Sequence, residues 1–304
     1  DIWSPKVIEP MIYMGASDRS KNSDIIDTRL LVEYNIETKK TEILYESEYD
    51  SANIQGIEVN DNWLVWQDME ISGTQDNIYV MNRKTRETKK VNSIKTSAPS
   101  FTIPALIDDS VYWIEEEELI DNTIKGSIKR YDCINGKVDV ISQLNSIGVH
   151  NIHLERNANK LLWSDEKDNK SYYYIYDTTN GKKDIIQASS NAVMHPILVG
   201  DYIISMEAKN HSEIHDLYIY NIKTKESRKN NQYINGYYRF NNMIVCNDGL
   251  ITSLFSIDED LSITPRKVFS NQADNYEVTN GEYIIFYKEN EKGIIIYIYA
   301  SKDN

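Results

Sequence analysis

The sequence predicts an all-β fold: a seven-bladed β-propeller of four-stranded antiparallel blades, the last of them three-stranded. Three observations carry this reading. A short strand motif recurs seven times, clearest as Leu64-Val65-Trp66-Gln67-Asp68, Val111-Tyr112-Trp113-Ile114-Glu115 and Leu161-Leu162-Trp163-Ser164-Asp165. The other copies are Ile12–Ala16, Ile203–Glu207, Ile244–Asp248 and Ile284–Lys288. Their centres fall at 14, 66, 113, 163, 205, 246 and 286, and subtraction gives steps of 52, 47, 50, 42, 41 and 40 residues. Four strands per unit at roughly 40–50 residues is the period of a propeller blade. Finally, the apolar residues come in short β-branched and aromatic runs, such as Ile294–Tyr299, not at the spacing of a helical face. A propeller grows by adding blades around one axis, so residues 1–304 are read as a single domain. The alternative is six blades, closed by exchange of a strand between the two ends of the chain.

The elements of one unit follow in order. Ten residues before each motif centre stand Ser4, Gly56, Ile103, His153, His195, Gly236 and Tyr276, and the next column holds Pro5, Pro104 and Pro196. A column that accepts Pro three times belongs to a strand with a free N–H side, as an innermost strand has. Turn residues follow, among them Asn60-Asp61-Asn62, Asp108-Asp109 and Gly200-Asp201, and lead into the motif strand. The third strand has its own form, as in Tyr174-Ile175-Tyr176-Asp177 and Leu217–Asn221, and runs into a tight turn such as Asn135-Gly136 or Asn180-Gly181-Lys182. A polar fourth strand, such as Val138–Ser142, closes the unit with an edge that discourages pairing with other chains.

This grammar of an apolar strand ending in an acid, then Ile-Tyr-x-Tyr-Asp, Thr, Gly and Lys, resembles the TolB-like and WD-like propeller repeats. Similar repeats form the propeller domain of prolyl oligopeptidases and dipeptidyl peptidases. The resemblance implies the fold and transfers no functional residue. The Ser-Pro-Asp-Gly turn of those repeats survives only as Ser4-Pro5, and the Gly-x-Ser-x-Gly elbow of the oligopeptidase hydrolase domain is absent from the sequence.

The net charge of −14 disfavours nucleic acid and anionic membrane surfaces, which are held by clustered Lys and Arg. It leaves a protein, a peptide or a neutral carbohydrate as partner. Mean hydropathy is −0.54, and no apolar run approaches the roughly 18 residues of a membrane span. Cys133 and Cys246 fall in units that a ring of seven sets apart, so two free thiols are expected. Metal spacings of the C-x-x-C or H-E-x-x-H type are absent from the sequence, and no cofactor is expected. Asp1 stands where an initiator Met would, which implies a removed upstream segment and fits an exported, extracytoplasmic bacterial protein.

Trp66, Trp113 and Trp163 share one column and are read as filling the space between blades. The acids Asp68, Glu115, Asp165, Glu207 and Asp248 end the second strand, next to the start of the first, and would ring one mouth of the propeller. His211 and His215 are read as solvated loop residues. The ligand-contact candidates on that face are Trp3, Gln55, Thr102, His153, His195 and Tyr237, with Asp68, Asp165 and Glu207 at the rim. No residue is assigned a catalytic or metal role. The functional reading is a non-enzymatic binding or scaffolding propeller. The alternative is a propeller-fold carbohydrate-active enzyme, a lyase or hydrolase, with His153 and His195 near the metal or substrate.

Overall fold

The computed structural model describes residues 2–17, 27–72, 75–95, 103–120, 123–148, 151, 154–210, 215–230, 236–247, 252–269, 275–279, 281–290 and 293–300. It is all-β. The first sheet is β1 (Ile2–Ile8), β2 (Met11–Ala16), β3 (Leu30–Asn35) and β4 (Thr41–Glu46), and the second is β5 (Ala52–Val59), β6 (Trp63–Glu70), β7 (Gln75–Asn82) and β8 (Thr88–Lys95). The third holds β9 (Ala105–Ile107), β10 (Ser110–Ile120), β11 (Thr123–Asp132) and β12 (Val138–Leu144), and the fourth β13 (Glu155–Asn157), β14 (Lys160–Lys167), β15 (Lys170–Asp177) and β16 (Lys183–Gln187). The fifth comprises β17 (Ala192–Val199), β18 (Tyr202–Ala208), β19 (Asp216–Asn221) and β20 (Ser227–Asn230), and the sixth β21 (Gly236–Phe240), β22 (Met243–Asn247), β23 (Thr252–Ile257) and β24 (Ile263–Phe269). The last sheet is β25 (Asn275–Thr279), β26 (Tyr283–Asn290) and β27 (Gly293–Ala300).

These sheet orders correct the expectation of seven blades, the last three-stranded: the chain builds a propeller of six four-stranded antiparallel blades. The seventh motif copy lies in β26, within a sheet of three strands. The reason is that the motif marks second strands only. Counting it counts second strands and is blind to whether a fourth follows. In the first sheet β1 pairs antiparallel with β2, Ile8 opposite Met11.

The chain divides into two compact units, Asp1–Glu117 with Ser127–Gln143, and Glu118–Gly126 with Leu144–Asn304, the boundary falling within the long β10–β11 hairpin. In the first unit β5 packs on β1 and β2 and also meets β9. In the second, β17 packs on β13, β14 and β15, β21 on β17, and β25 on β21. Successive sheets share apolar clusters, because a strand with alternating burial cannot cover its own apolar face. One cluster joins Tyr13 and Leu31 to Ile54, Leu64 and Trp66, and another joins Trp63 and Val65 to Val111 and Trp113. Trp66, Trp113 and Trp163 are all fully buried, as their column requires. Cys133 and Cys246 are free and buried, and burial pushes each thiol up to about 12. Among the described residues no helix is long and apolar enough to cross a membrane.

Five sheets turn from third to fourth strand by one recurring hairpin. Asn35, Asn82, Asp132, Asp177 and Asn221 end the third strand, and each side chain accepts a backbone N–H two residues on. The residue four places on, Lys39, Arg86, Gly136, Gly181 or Lys225, is left-handed, with φ between 58° and 72°. Its N–H donates back to the Asx carbonyl at 2.8–2.9 Å. An Asx side chain supplies the acceptor that this turn needs.

Candidate functional site

Three inner strands carry the same irregularity. The ladders of β1, β5 and β17 with their second strands shift register between Trp3 and Lys6, Gln55 and Glu58, and Met194 and Ile197. Within each shift one residue is left-handed: Ser4 (φ 51°), Gly56 (φ 57°) and His195 (φ 48°). This is a bulge, and it re-aims the strand and its side chains. The following sheet seals it. A Cβ at Gly56 would lie 2.9 Å from Cδ of Pro104, just ahead of β9, so glycine is required there. In the second unit the Tyr237 hydroxyl donates to the His195 carbonyl at 2.5 Å and to the Met194 carbonyl at 3.2 Å. Pro104 and Tyr237 occupy one column of the repeat, so in these two cases the same position of the following blade closes on the bulge before it.

At His195 the bulge does more than bend a strand. A left-handed non-glycine residue costs about 1–2 kcal/mol, and residues held so cluster at functional sites. His195 is exposed at its side chain. Crowding neighbours desolvate its imidazole and hold it below the usual histidine range, and His215 pushes in the same direction. Because the ring still reaches solvent, screening damps this effect. The outcome at neutral pH is an uncharged imidazole, both donor and acceptor, on a fixed backbone. His215, expected to be solvated, is half-buried just ahead of β19.

The acids at the ends of the second strands are fastened to the linker or fourth strand of the preceding sheet. Asp68 is buried and accepts from the Tyr45 hydroxyl of β4 at 2.7 Å. Asp165 is buried and accepts from the backbone N–H and side-chain amide of Asn145 at 3.0 and 2.7 Å, and from Ser146 N at 3.2 Å. Glu207 is fully buried and accepts from the Tyr173 hydroxyl at 2.5 Å, from Ser190 N at 2.9 Å and from the Tyr220 hydroxyl. Burial raises the carboxyls of Asp68 and Glu207 above the ordinary range, while these hydrogen bonds oppose the rise. Glu115, half-buried, instead takes the indole N–H of Trp113 at 2.9 Å and the ammonium of Lys129.

Gln55 lies on the face of the second sheet opposite to Asp68, since it pairs with Gln67 while Ile54 pairs with Asp68. It belongs to a buried polar chain. Asn53 Nδ2 donates to Gln55 Oε1 at 3.2 Å, Gln55 Nε2 to Gln67 Oε1 at 3.0 Å, and Gln67 Nε2 to Asp76 Oδ2 at 2.5 Å. Asp76 is fully buried, its Oδ1 has no hydrogen-bond partner among the described residues, and burial pushes the carboxyl up to about 7.

Of the expected contacts, the structure brings His195 and Tyr237 together. Trp3 is on β1 at the edge of the first bulge, its side chain outside the described residues, as are Thr102, His153, Asp248 and His211 altogether. Among the described residues no group of three or more His, Cys, Asp or Glu could hold a metal ion. One inner-strand residue escaped the sequence reading. Arg239 reaches from β21 to the Arg156 carbonyl at 3.4 Å and the Glu155 carboxylate at 3.6 Å, both on β13. A Cβ at residue 281 would sit 2.2 Å from its guanidinium, so Gly281 is what lets it pass. A lone Arg two residues before a turn gave no pattern from which this could be read.

No family model matches the chain, and no curated protein matches it. Solved structures do. The chain is similar to TolB from Acinetobacter baumannii (13% identity, TM-score 0.50, covering 79% of this chain and 60% of that one). It is similar to a prolyl endopeptidase (9%, TM-score 0.65, 100% and 50%) and to the β-propeller domain of the Trilobed protease from Pyrococcus furiosus (12%, TM-score 0.56, 98% and 94%). The chain thus spans three fifths of the TolB structure and half of the endopeptidase. At such identities the likeness shows the fold, and the fold is a β-propeller.

Proposed function

We propose that this chain is a binding or scaffolding propeller whose ligand, a protein segment, a peptide or a neutral carbohydrate, meets the inner-strand bulge of the fifth sheet at His195. The observation that carries the reading is the strained, exposed His195, whose carbonyl is fixed by the buried Tyr237 hydroxyl. A held, uncharged imidazole recognises by hydrogen bonds, and a chain of net charge −14 selects against anionic ligands. Extracytoplasmic residence belongs to the same proposal, on the likeness to TolB. A library of peptides and neutral glycans screened against the protein and its His195→Ala variant tests it. Binders that weaken about tenfold, near 1.4 kcal/mol, on loss of the imidazole support the proposal. Binders indifferent to it overturn the assignment of the site.

A second reading is a carbohydrate-active enzyme. What favours it is the likeness to an oligogalacturonate lyase from Vibrio parahaemolyticus (12% identity, TM-score 0.54, 99% and 91% covered). A tightly held stoichiometric divalent metal in the purified protein, or turnover of oligogalacturonate, would favour this reading over the first.

A further inference from the structure

A line of hydrogen bonds crosses the second sheet in a single direction. It begins at Thr28, a fully buried residue on the approach to β3, whose hydroxyl donates to Asn53 Oδ1 at 2.6 Å. Asn53 then donates to Gln55, Gln55 to Gln67 and Gln67 to Asp76. Thr28 also ties the approach to β3, in the first sheet, to β5 in the second. It forms a parallel bridge with Asn53, and its carbonyl accepts from Ile54 N at 2.9 Å. Beside it the Asp27 carboxylate accepts from Ala52 N at 3.1 Å. All of these residues lie in the first compact unit.

The single direction has one cause. A carboxylate only accepts, so an ionised Asp76 turns the Gln67 amide N–H toward itself and the Gln67 carbonyl toward Gln55. The same constraint passes to Gln55, to Asn53 and finally to Thr28, which is left to donate. A protonated Asp76 lifts the constraint. A proton on Oδ1 is a buried donor with no partner among the described residues. A proton on Oδ2 is donated to Gln67, and each carboxamide must then turn over to follow. The reversed line brings an amide N–H of Asn53 to the Thr28 hydroxyl, whose own proton loses its acceptor. The line therefore has two polarities, and the state of one acid selects between them.

We infer that this line is a proton-operated link: ionised Asp76 fastens Thr28 onto β5, and protonation of Asp76 loosens it. Burial pushes the Asp76 carboxyl up to about 7, so the link changes state near neutral pH. The coupling is reciprocal, and whatever ionised Asp76 adds to the hold on Thr28, Thr28 adds to the ionisation of Asp76. It also runs against the fold as a whole. A buried acid with a raised midpoint stabilises the fold less as pH rises, whereas the link tightens, so the two responses differ in sign. The charged groups around Asp76 are Asp68, on the opposite face of β6, and those of the third sheet, which covers this face with Val111 and Trp113. There Glu115 is paired with Lys129, and Glu117 accepts from the Ser127 hydroxyl. Nothing in the inference depends on the bulge at His195.

Two measurements on the whole protein test it. In a carbon-13 NMR titration of the Asp76 carboxyl, Thr28→Val keeps the shape at residue 28 and removes the last donor, so the midpoint should rise by about 0.3. Thr28→Ser, which keeps the donor, should leave the midpoint where the parent has it. In hydrogen exchange, the protection of the Ile54 amide, bonded to the Thr28 carbonyl, should grow about twofold between about pH 5 and about pH 8 in the parent. In Asp76→Asn that growth should vanish, and this comparison decides the matter even where Thr28→Val fails to fold. Three results overturn the inference: an Asp76 midpoint that Thr28→Val leaves unmoved, an Ile54 protection indifferent to pH, or the same pH response in Asp76→Asn, which would assign it to another group such as Asp27.

Discussion

The second and fifth sheets solve one packing problem in two ways. In the second, Trp66 is fully buried, stacked on Tyr79 at 5.4 Å and 11° and set 5.2 Å from Tyr45 of the preceding sheet. Two residues on, Asp68 accepts from the Tyr45 hydroxyl. In the fifth, Ser205 occupies the tryptophan column, and the fully buried Tyr173 of the preceding sheet reaches in and donates to Glu207. Between these two sheets the ring is exchangeable filler, Ser205 standing with Glu207 where Trp66 stands with Asp68. What recurs is the latch, a tyrosine hydroxyl from the blade before meeting a buried carboxylate. Asp68, Asp165 and Glu207 tie neighbouring sheets together, whereas Glu115 is held within its own sheet.

The largest expected effect breaks this comparison at the filler. Trp66→Ala should cost about 3–5 kcal/mol, because a fully buried ring leaves a cavity that the stacked Tyr79 and the tilted Tyr45 cannot fill. Ser205→Ala should cost about 1 kcal/mol or less, the loss of one neutral hydrogen bond. Denaturant unfolding of both variants checks the contrast. Equal losses would show that the column has one role in every blade.

Next comes the latch itself. Glu207→Gln keeps the shape but turns an amide donor toward Ser190 N and two tyrosine hydroxyls, so a loss of about 1–3 kcal/mol is expected. Asp68→Asn, facing the one Tyr45 hydroxyl, should lose less, about 1 kcal/mol. A double-mutant cycle of Glu207→Gln with Tyr220→Phe should be clearly non-additive, since both remove one contact.

Much of this was legible in the residues. Trp66, Trp113 and Trp163 declare their column by size, and Asn82, Asp132 or Asp177 declare a hairpin through the Thr and Gly that follow. The direction of the acids was not legible, because their partners, Tyr45, Asn145 and Ser190, lie in the linker or fourth strand of another sheet and only the assembled pair reveals them. The bulge column was visible, but its backbone was not: Ser4, Gly56 and His195, two of them followed by Pro, form a set that tolerates positive φ, and no residue type common to the three announces it. The blade count failed because a second-strand motif carries no record of a fourth strand, and the Asx position is no record of one either, since the sixth sheet has Ser256 there and still forms β24.

A smaller effect sharpens the contrast within the second sheet between Asp68, bonded to a tyrosine of the preceding sheet, and Asp76, bonded only to the Gln67 amide of its own sheet. Each keeps one oxygen without a partner among the described residues. Asp76 holds its proton up to about pH 7 when folded, against about 4 when unfolded. The folded state therefore binds the extra proton between those values, and the group's contribution to stability falls as pH rises from about 4 to about 7. Asp76→Asn, neutral throughout, should remove that slope and gain stability at pH 8 relative to pH 5 by about 1–2 kcal/mol compared with the parent. Urea midpoints at the two pH values measure it. An identical difference at both would mean that Asp76 is ionised and paired in the fold.

The smallest effect separates the two bulges that differ only in residue type. Gly56 and His195 share the left-handed backbone, yet only glycine adopts it without strain. His195→Gly should therefore leave the Tyr237 hydroxyl on the same carbonyl and relieve the steric cost. Part of the gain is returned to the more flexible unfolded chain, so a net stabilisation of about 0.5 kcal/mol or less is expected. The converse, Gly56→His, must destabilise, because strain is added and the new Cβ meets Pro104 at 2.9 Å. The left-handed backbone at residue 195 does not require an imidazole, and the proposal is that the ring is there for binding. If His195→Gly lowers the melting temperature, the ring is part of the packing and that claim fails. A rise in melting temperature together with lost ligand affinity would show a residue kept for its ligand at the expense of the fold.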